Sequence, residues 1–237
     1  MIFIHGDLRS ICSSNGEAED SNSVVEISLK IAQIFQASGE NGKAEQGYIF
    51  CVECQRKKIA RNVGNDEDTI GDTCILNSFF FVIHFVIVEA LYGMALDLLA
   101  QFYLASNRLK EAESLWVEAV KCGRLVYGEE GDQVLVVTNS LATVVSMQAG
   151  REAEAADMME EVVRTASRTS SPHLTAFLIN LGLVRMKQGL VEQARARCEG
   201  ARRLAASGGD KEAEQEADNC LKELETLSLS RSSGAAK

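Results

Sequence analysis

The chain has 237 residues, 46% of them hydrophobic, with one proline and seven cysteines, and its 24 Lys and Arg against 34 Asp and Glu leave a formal charge of −10. That length suits one sizeable domain or a short array of repeated units, and the apolar content is enough to bury a core. The acidic balance has the wrong sign for gripping a phosphate backbone or for a polybasic membrane patch, which excludes nucleic acid as the main partner. A single proline in a chain rich in Ala, Glu and Leu predicts helices throughout, because proline breaks helix interiors.

Residues 1–22 open with an apolar run too short for a signal peptide and lack the Arg-rich amphipathic helix of a mitochondrial presequence, so they are expected to be a disordered N-terminal segment. A first helix pair is predicted over 23–60, carried by Ile31–Ala32, Phe35, Ala44 and Tyr48. An acidic linker, NVGNDEDTIG, follows and leads into DTCILNSFFFVIHFVIV, an apolar insert at 72–88. Its fifteen residues from Cys74 to Val88 are short for a membrane span. It reads as a buried helix extension, a membrane-dipping segment, or residues translated from a retained intron or mistaken gene model. The last is favoured, because deleting it joins DEDTIG to EALYGM without harming either flanking repeat.

The second pair, 90–127, shows Leu96, Leu99–Ala100, Tyr103, Ala112, Trp116 and Ala119. The third, 132–168, has Leu141–Ala142, Val145, Ala155 and Met159, and the fourth, 173–206, has Leu178, Leu181–Gly182, Ala194, Cys198 and Ala201. The two small residues of each pair, Ala32 and Ala44, Ala100 and Ala112, Ala142 and Ala155, Gly182 and Ala194, are separated by 12, 12, 13 and 12 residues. Small residues at these points let two helices approach, while Leu99, Tyr103 and Trp116 fill the space between them. SGENGK, SNRLK, AGRE and QGLVE supply the turn inside each pair. A capping helix over 211–227 places Ala213, Ala217, Cys220, Leu221, Leu224 and Leu227 on one face with acidic residues opposite, and 228–237 is expected to be a loose tail.

This frame resembles the tetratricopeptide repeat, which implies an all-α solenoid of antiparallel helix pairs with a C-terminal cap. The step from one copy to the next, Ala100 to Ala142 to Gly182, is 42 and then 40 residues, and VYGEEGDQVLVVTNSLA is similar to the long repeats of kinesin light chains. NSVVEISLKIAQIFQASGENGKAEQGYIFC, LYGMALDLLAQFYLASNRLKEAESLW, SLATVVSMQAGREAEA and LTAFLINLGLVRMKQGLVEQA resemble the tetratricopeptide repeat protein 19 family, from about Asn22 to about Leu224. That resemblance implies a mitochondrial inner-membrane protein that binds respiratory complex III and helps clear fragments of its processed Rieske iron–sulfur subunit. The family's targeting segment, membrane span and first repeats have no counterpart here, so an N-terminal truncation is expected. The chain would be cytoplasmic if it is whole.

No enzyme and no cofactor are expected. His5, His84 and His173 have no Cys, Ser or carboxylate at useful helical spacing, and Cys51 and Cys54 form the one closely spaced cysteine pair, without the second pair a zinc site needs. The cysteines read as free thiols of a reducing compartment. Met159 falls where the frame wants an aromatic, so Met147, Met158, Met159 and Met186 read as core filling. Partner-binding candidates are polar residues on the outer side of the first helix of each pair: Asp97 and Gln101, Asn139 and Thr143, Asn180 and Lys187. The Lys/Asn clamp of chaperone-binding repeats is absent, with Leu29 and Gln33, or Asp97 and Gln101, in its place. A protein-binding scaffold on complex III is the expected function. A cytosolic peptide-binding adaptor of kinesin-light-chain character is the alternative. Membrane association is expected only through a missing N-terminal segment or residues 72–88.

Overall fold

A computed structural model describes residues 21–64 and 75–234. The expectations for residues 1–20, for the linker at 65–74 and for the last three residues of the tail lie outside the described residues. The described residues form nine α-helices and no strand: α1 (Asn22–Ala37), α2 (Asn41–Gly64), α3 (Ile75–Ala105), α4 (Leu109–Tyr127), α5 (Asp132–Ser146), α6 (Glu152–Thr169), α7 (Leu174–Lys187), α8 (Val191–Gly208) and α9 (Lys211–Gly234). They divide into two compact units, residues 1–126 and 127–237.

In the first unit α2 packs on α1 and on α3. Ala32 and Ala44 are fully buried, as are Ala100 and Ala112, because a larger side chain at either point would hold the helix axes apart. Gly47 belongs to the same contact: a Cβ there would stand 2.9 Å from the Cβ of Ala32. Around these points sit the large residues, Tyr48 at 1% exposure and Trp116 at 1%, with Tyr103 also buried. Tyr48 donates its hydroxyl to Gln36 Oε1 at 2.7 Å, and its ring lies 5.9 Å from that of Phe102. The Arg108 guanidinium lies 3.8 Å over the Tyr103 ring and bonds Glu45 and Glu111, tying the α3–α4 turn back to α2.

The second unit repeats the arrangement. Ala142, Ala155 and Ala194 are fully buried, Gly182 is buried, and Met159 fills its core position at 1% exposure. Of the other methionines, Met186 is buried and Met147 is exposed. The helix α9 covers the end of the array through Ala217, Cys220 and Leu224, and Asp210 caps its start by accepting from the Ala213 amide at 3.0 Å. The helix continues to Gly234, beyond the residue 227 at which the sequence pattern ends.

Inside every pair the turn contains one residue with positive φ: Gly39 (80°), Asn107 (58°), Gly150 (80°) and Gly189 (77°). Each lies seven or eight residues after the first small residue of its pair. The left-handed conformation reverses the chain in three to five residues, and glycine and asparagine adopt it at least cost.

Two features differ from the sequence expectations. The first helix of the second pair begins at Ile75, not near 90, so most of the apolar insert is continuous with it. A run without a charged residue from Ile75 to Val88 carries little helical phase and gives no boundary signal. Second, Cys198 and Cys220 form a disulfide, with Cα atoms 6.2 Å apart, where free thiols were expected. Both are buried, and Gly182 makes their meeting possible: a Cβ on it would stand 2.5 Å from Cys198 Sγ and 3.5 Å from Cys220 Sγ. Cys51, Cys54 and Cys122 are not disulfide-bonded.

Trp116→Ala should lower unfolding stability by about 3–5 kcal/mol through cavity formation, measured by urea titration, whereas a surface position would change it by less than about 0.5 kcal/mol. A tryptic digest of alkylated, unreduced protein should contain the Cys198 and Cys220 peptides joined. Reductant should separate them, and two alkylated peptides without reductant would contradict the bond.

Candidate functional site

The candidate positions lie on the first helix of the second, third and fourth pairs, and the two units are taken separately. On α3, Asp97 and Gln101 are one helical turn apart and share a hydrogen bond, Gln101 Nε2 donating to Asp97 Oδ2 at 2.8 Å. The other carboxylate oxygen of Asp97 accepts from the Trp116 indole Nε1 at 2.7 Å. A buried indole N–H needs an acceptor, and Asp97 is the residue that reaches it. Burial pushes the Asp97 carboxyl above the usual carboxylate range, against the lowering effect of the two donors. Asp97 is therefore committed to the core of its own pair, and Gln101 is the more exposed of the two.

Beside this pair, Arg56 on α2 donates from Nε to the Tyr92 hydroxyl at 2.9 Å and from Nη2 to Glu118 Oε2 at 3.1 Å, while Tyr92 donates to Glu118 Oε1 at 2.5 Å. The three residues connect α2, α3 and α4 in one network. Sequence reasoning missed this tie, because Arg56, Tyr92 and Glu118 stand outside the repeat frame and are far apart in the chain.

In the second unit Asn139, on α5, is 8% exposed, and its side-chain oxygen Oδ1 is buried without a hydrogen-bond partner. Thr143 is half-buried and donates its hydroxyl to the Asn139 carbonyl at 2.9 Å, which satisfies it within the helix. On α7, Asn180 is half-buried and Lys187, at the helix end, is exposed. Arg185 on the same helix is held by Glu160 at 3.2 Å and Gln188 at 2.9 Å, and Arg197 of α8 bonds the same Glu160 at 3.0 Å. Like the Arg56 network, this joins three helices, and no sequence signal marked it. Among the described residues no three His, Cys, Asp or Glu side chains group as metal ligands. Burial raises the free thiols Cys51 and Cys122, the latter to about 12, which keeps them protonated and unreactive.

A family model described as tetratricopeptide repeat matches residues 91–168. Among solved structures, BtubC (BKLC) from P. vanneervenii superposes with a TM-score of 0.58 at 18% identity, covering 96% of this chain and 87% of that one. A Podosopora anserina putative kinesin light chain with nearly identical repeats gives 0.57 at 18% identity, over 91% and 98%. RapI in its apo form gives 0.64 at 13% identity, over 97% and 77%. At these identities the likeness is one of fold. With the family match over 91–168 and helix pairs closing on small residues, it defines the fold as an all-α solenoid of tetratricopeptide-repeat type.

Curated relatives narrow this further. Tetratricopeptide repeat protein 19, mitochondrial, of Homo sapiens is 29% identical over 205 residues, which is 82% of this chain and 51% of that protein. The Mus musculus protein is 28% identical over the same share of this chain, and the Drosophila melanogaster homologue is 25% identical over 94% of it and 55% of its own length. The chain is similar to the tetratricopeptide repeat protein 19 family over most of its length, and it spans about half the length of these relatives.

Asp97→Asn should retain the acceptor for Trp116 while removing the buried charge. Because the folded carboxyl is raised above its unfolded value, its contribution to stability is greatest below the unfolded pKa of about 4 and declines as pH rises through the folded pKa. Urea titrations at pH 4 and 7 should show the wild type losing stability relative to Asp97→Asn across that window. Asp97→Ala, which strands the indole N–H, should cost about 1–3 kcal/mol at both pH values.

Proposed function

We propose that the protein is a non-catalytic scaffold of the mitochondrial inner membrane that binds respiratory complex III and assists the clearance of fragments of the processed Rieske iron–sulfur subunit. The carrying observation is the similarity to tetratricopeptide repeat protein 19 over 82% of the chain, with relatives from mammals and fly that are all named as mitochondrial. The acidic charge of −10 and the repeat fold support a protein partner over nucleic acid.

In this reading the partner is held by polar residues on the first helices of the pairs, each unit contributing its own. Asp97 serves mainly by fixing Trp116 and presenting Gln101. In the second unit Asn139 is buried with no internal donor to its side-chain oxygen, so exposed Lys187 is the better-placed candidate. Thr143 on α5 and Asn180 on α7 are the further positions. Repeat steps of 42 and 40 residues favour a second reading, a cytosolic peptide adaptor of kinesin-light-chain character.

Affinity isolation of the full-length protein from its own cells separates the two. Complex III subunits should co-isolate, and loss of the protein should leave Rieske fragments on the complex and lower its activity. Motor or cargo proteins in the isolate, with normal complex III in the loss-of-function line, would replace the first reading with the second. Lys187→Ala, at an exposed position, should weaken the complex III association by about tenfold, the ratio that corresponds to one hydrogen bond of ordinary strength, without loss of helix content.

A further inference from the structure

One stripe of α1 is apolar and uncovered. Ile27 is 50% exposed and Ile34 66%, with Ile31 half-buried between them. At 100° per residue the three fall within about 60° of one another. Counted from the first small residue of each pair, the same three positions are Ala95, Leu99 and Phe102 on α3, and Phe177, Leu181 and Val184 on α7. All six are buried. On α3 the cover is α2, the second helix of the preceding pair: the Phe102 ring lies 5.9 Å from that of Tyr48, and Arg56 holds Tyr92 one turn before Ala95. On α7 it is α6, again the second helix of the preceding pair. The repeat frame thus specifies what fits the α1 stripe, an antiparallel amphipathic helix, and among the described residues no such helix covers it.

We propose that residues 1–12 of this chain are that cover, docking antiparallel on α1 and closing the first pair as α9 closes the last. They lie outside the described residues, and it is their sequence that matches the stripe. Met1, Ile4, Leu8 and Ile11 recur at intervals of three, four and three, the spacing of a single helix face. Ile4 and Ile11 are seven residues apart, and so are Ile27 and Ile34. An antiparallel helix that sets Ile11 on Ile27 therefore sets Ile4 on Ile34 and Leu8 beside Ile31. Asp7 and Lys30 then fall level on the same flank, each about 60° from the centre of its stripe and of opposite charge. An exposed ion pair is worth little, so this one favours the register more than it adds stability.

The connection permits this return. Residues 13–20, SSNGEAED, include the turn-forming dipeptide Asn15–Gly16, and Ser21 caps α1. Eight residues reach up to about 26–28 Å, against about 8–10 Å between packed helix axes. The connections at 128–131 and 170–173 join one pair to the next in four residues each. By itself a twelve-residue segment is too short to hold a helix, in line with the disorder expected of residues 1–22, so the α1 stripe must supply its order. A short tether holds the segment at a local concentration on the order of millimolar, which favours it over a second copy of the chain.

Cross-linking in the full chain tests the docking. Asp7→Cys with Lys30→Cys should, under mild oxidation, yield a joined peptide carrying both positions, because the docked register brings them within disulfide reach. Arg9→Cys with Lys30→Cys, which turns the first thiol to the far side of the segment, should yield at least about tenfold less. Mixing isotopically labelled with unlabelled chains separates joins within one chain from joins between two. Ile4→Asp with Leu8→Asp, outside the packed helix pairs, should lower the yield of the first cysteine pair by at least about tenfold while leaving the helix content of the repeats in place. Ile27→Asp with Ile34→Asp, on the exposed side of α1, should lower it equally. Absence of the joined peptide, equal yields from the two cysteine pairs, or a yield indifferent to the Ile4 and Leu8 substitutions would each overturn the proposal. So would joins found only between chains, which would assign the stripe to a second copy.

Discussion

The closeness with which one helix can approach the next governs each unit. Ala32 and Ala44, Ala100 and Ala112, Ala142 and Ala155, and Gly182 and Ala194 are buried where helices cross, and at Gly47 and Gly182 even one added methyl group would collide with a neighbour. Tight crossing at a few small residues leaves spaces of fixed size on either side, and these determine which large residues fit: Tyr48, Trp116 and Met159. The choice at one small position thus propagates to its neighbours. Because position 182 is glycine, sulfur atoms from α8 and α9 can meet beneath α7, and the last pair is joined to its cap by a covalent bond in addition to packing.

The same crowding decides how polar groups are used. The indole of Trp116 is drawn into the interior by its size, and its N–H must then find an acceptor, which turns Asp97 inward. A carboxylate expected on the outer face becomes part of the internal structure, and only its neighbour Gln101 remains well exposed. Asn139 in the second unit is the opposite case, a buried amide oxygen with no internal donor. The two residues stand on corresponding helices, yet one is satisfied by its own pair and the other is left open.

The repeat frame was legible because spacing alone carries it. Small residues twelve or thirteen apart, with large residues between them and turn residues after the first helix, locate Ala100, Ala112, Trp116 and their counterparts without reference to distant contacts. The start of α3 was not legible, since fourteen uncharged residues in succession offer neither a phase nor a stop. The disulfide was hidden for a different reason. Cys198 and Cys220 are 22 residues apart, at no motif spacing, and they meet only because α8 and α9 form an antiparallel corner over Gly182. The Arg56–Tyr92–Glu118 and Arg185–Glu160–Arg197 ties each draw on three helices, so no local window of sequence contains them. The proposed partner positions come from the repeat frame alone, and which of them have side-chain valence to spare depends on neighbours such as Trp116.

The left-handed turns have a bearing on where the chain tolerates change. Gly39, Asn107, Gly150 and Gly189 sit at a nearly constant distance from the tight crossing of their pair, and lengthening one of these turns would slide the second helix out of register with the first. The two described connections between pairs, residues 128–131 and 170–173, are each four residues long and lie away from those crossings. An epitope, a fluorophore-bearing peptide or a whole guest domain belongs at residues 128–131 or 170–173, where the backbone is outside the helices and the join does not set a crossing. Natural growth by insertion would follow the same route, keeping the hairpins constant while the spacers between them lengthen or shrink.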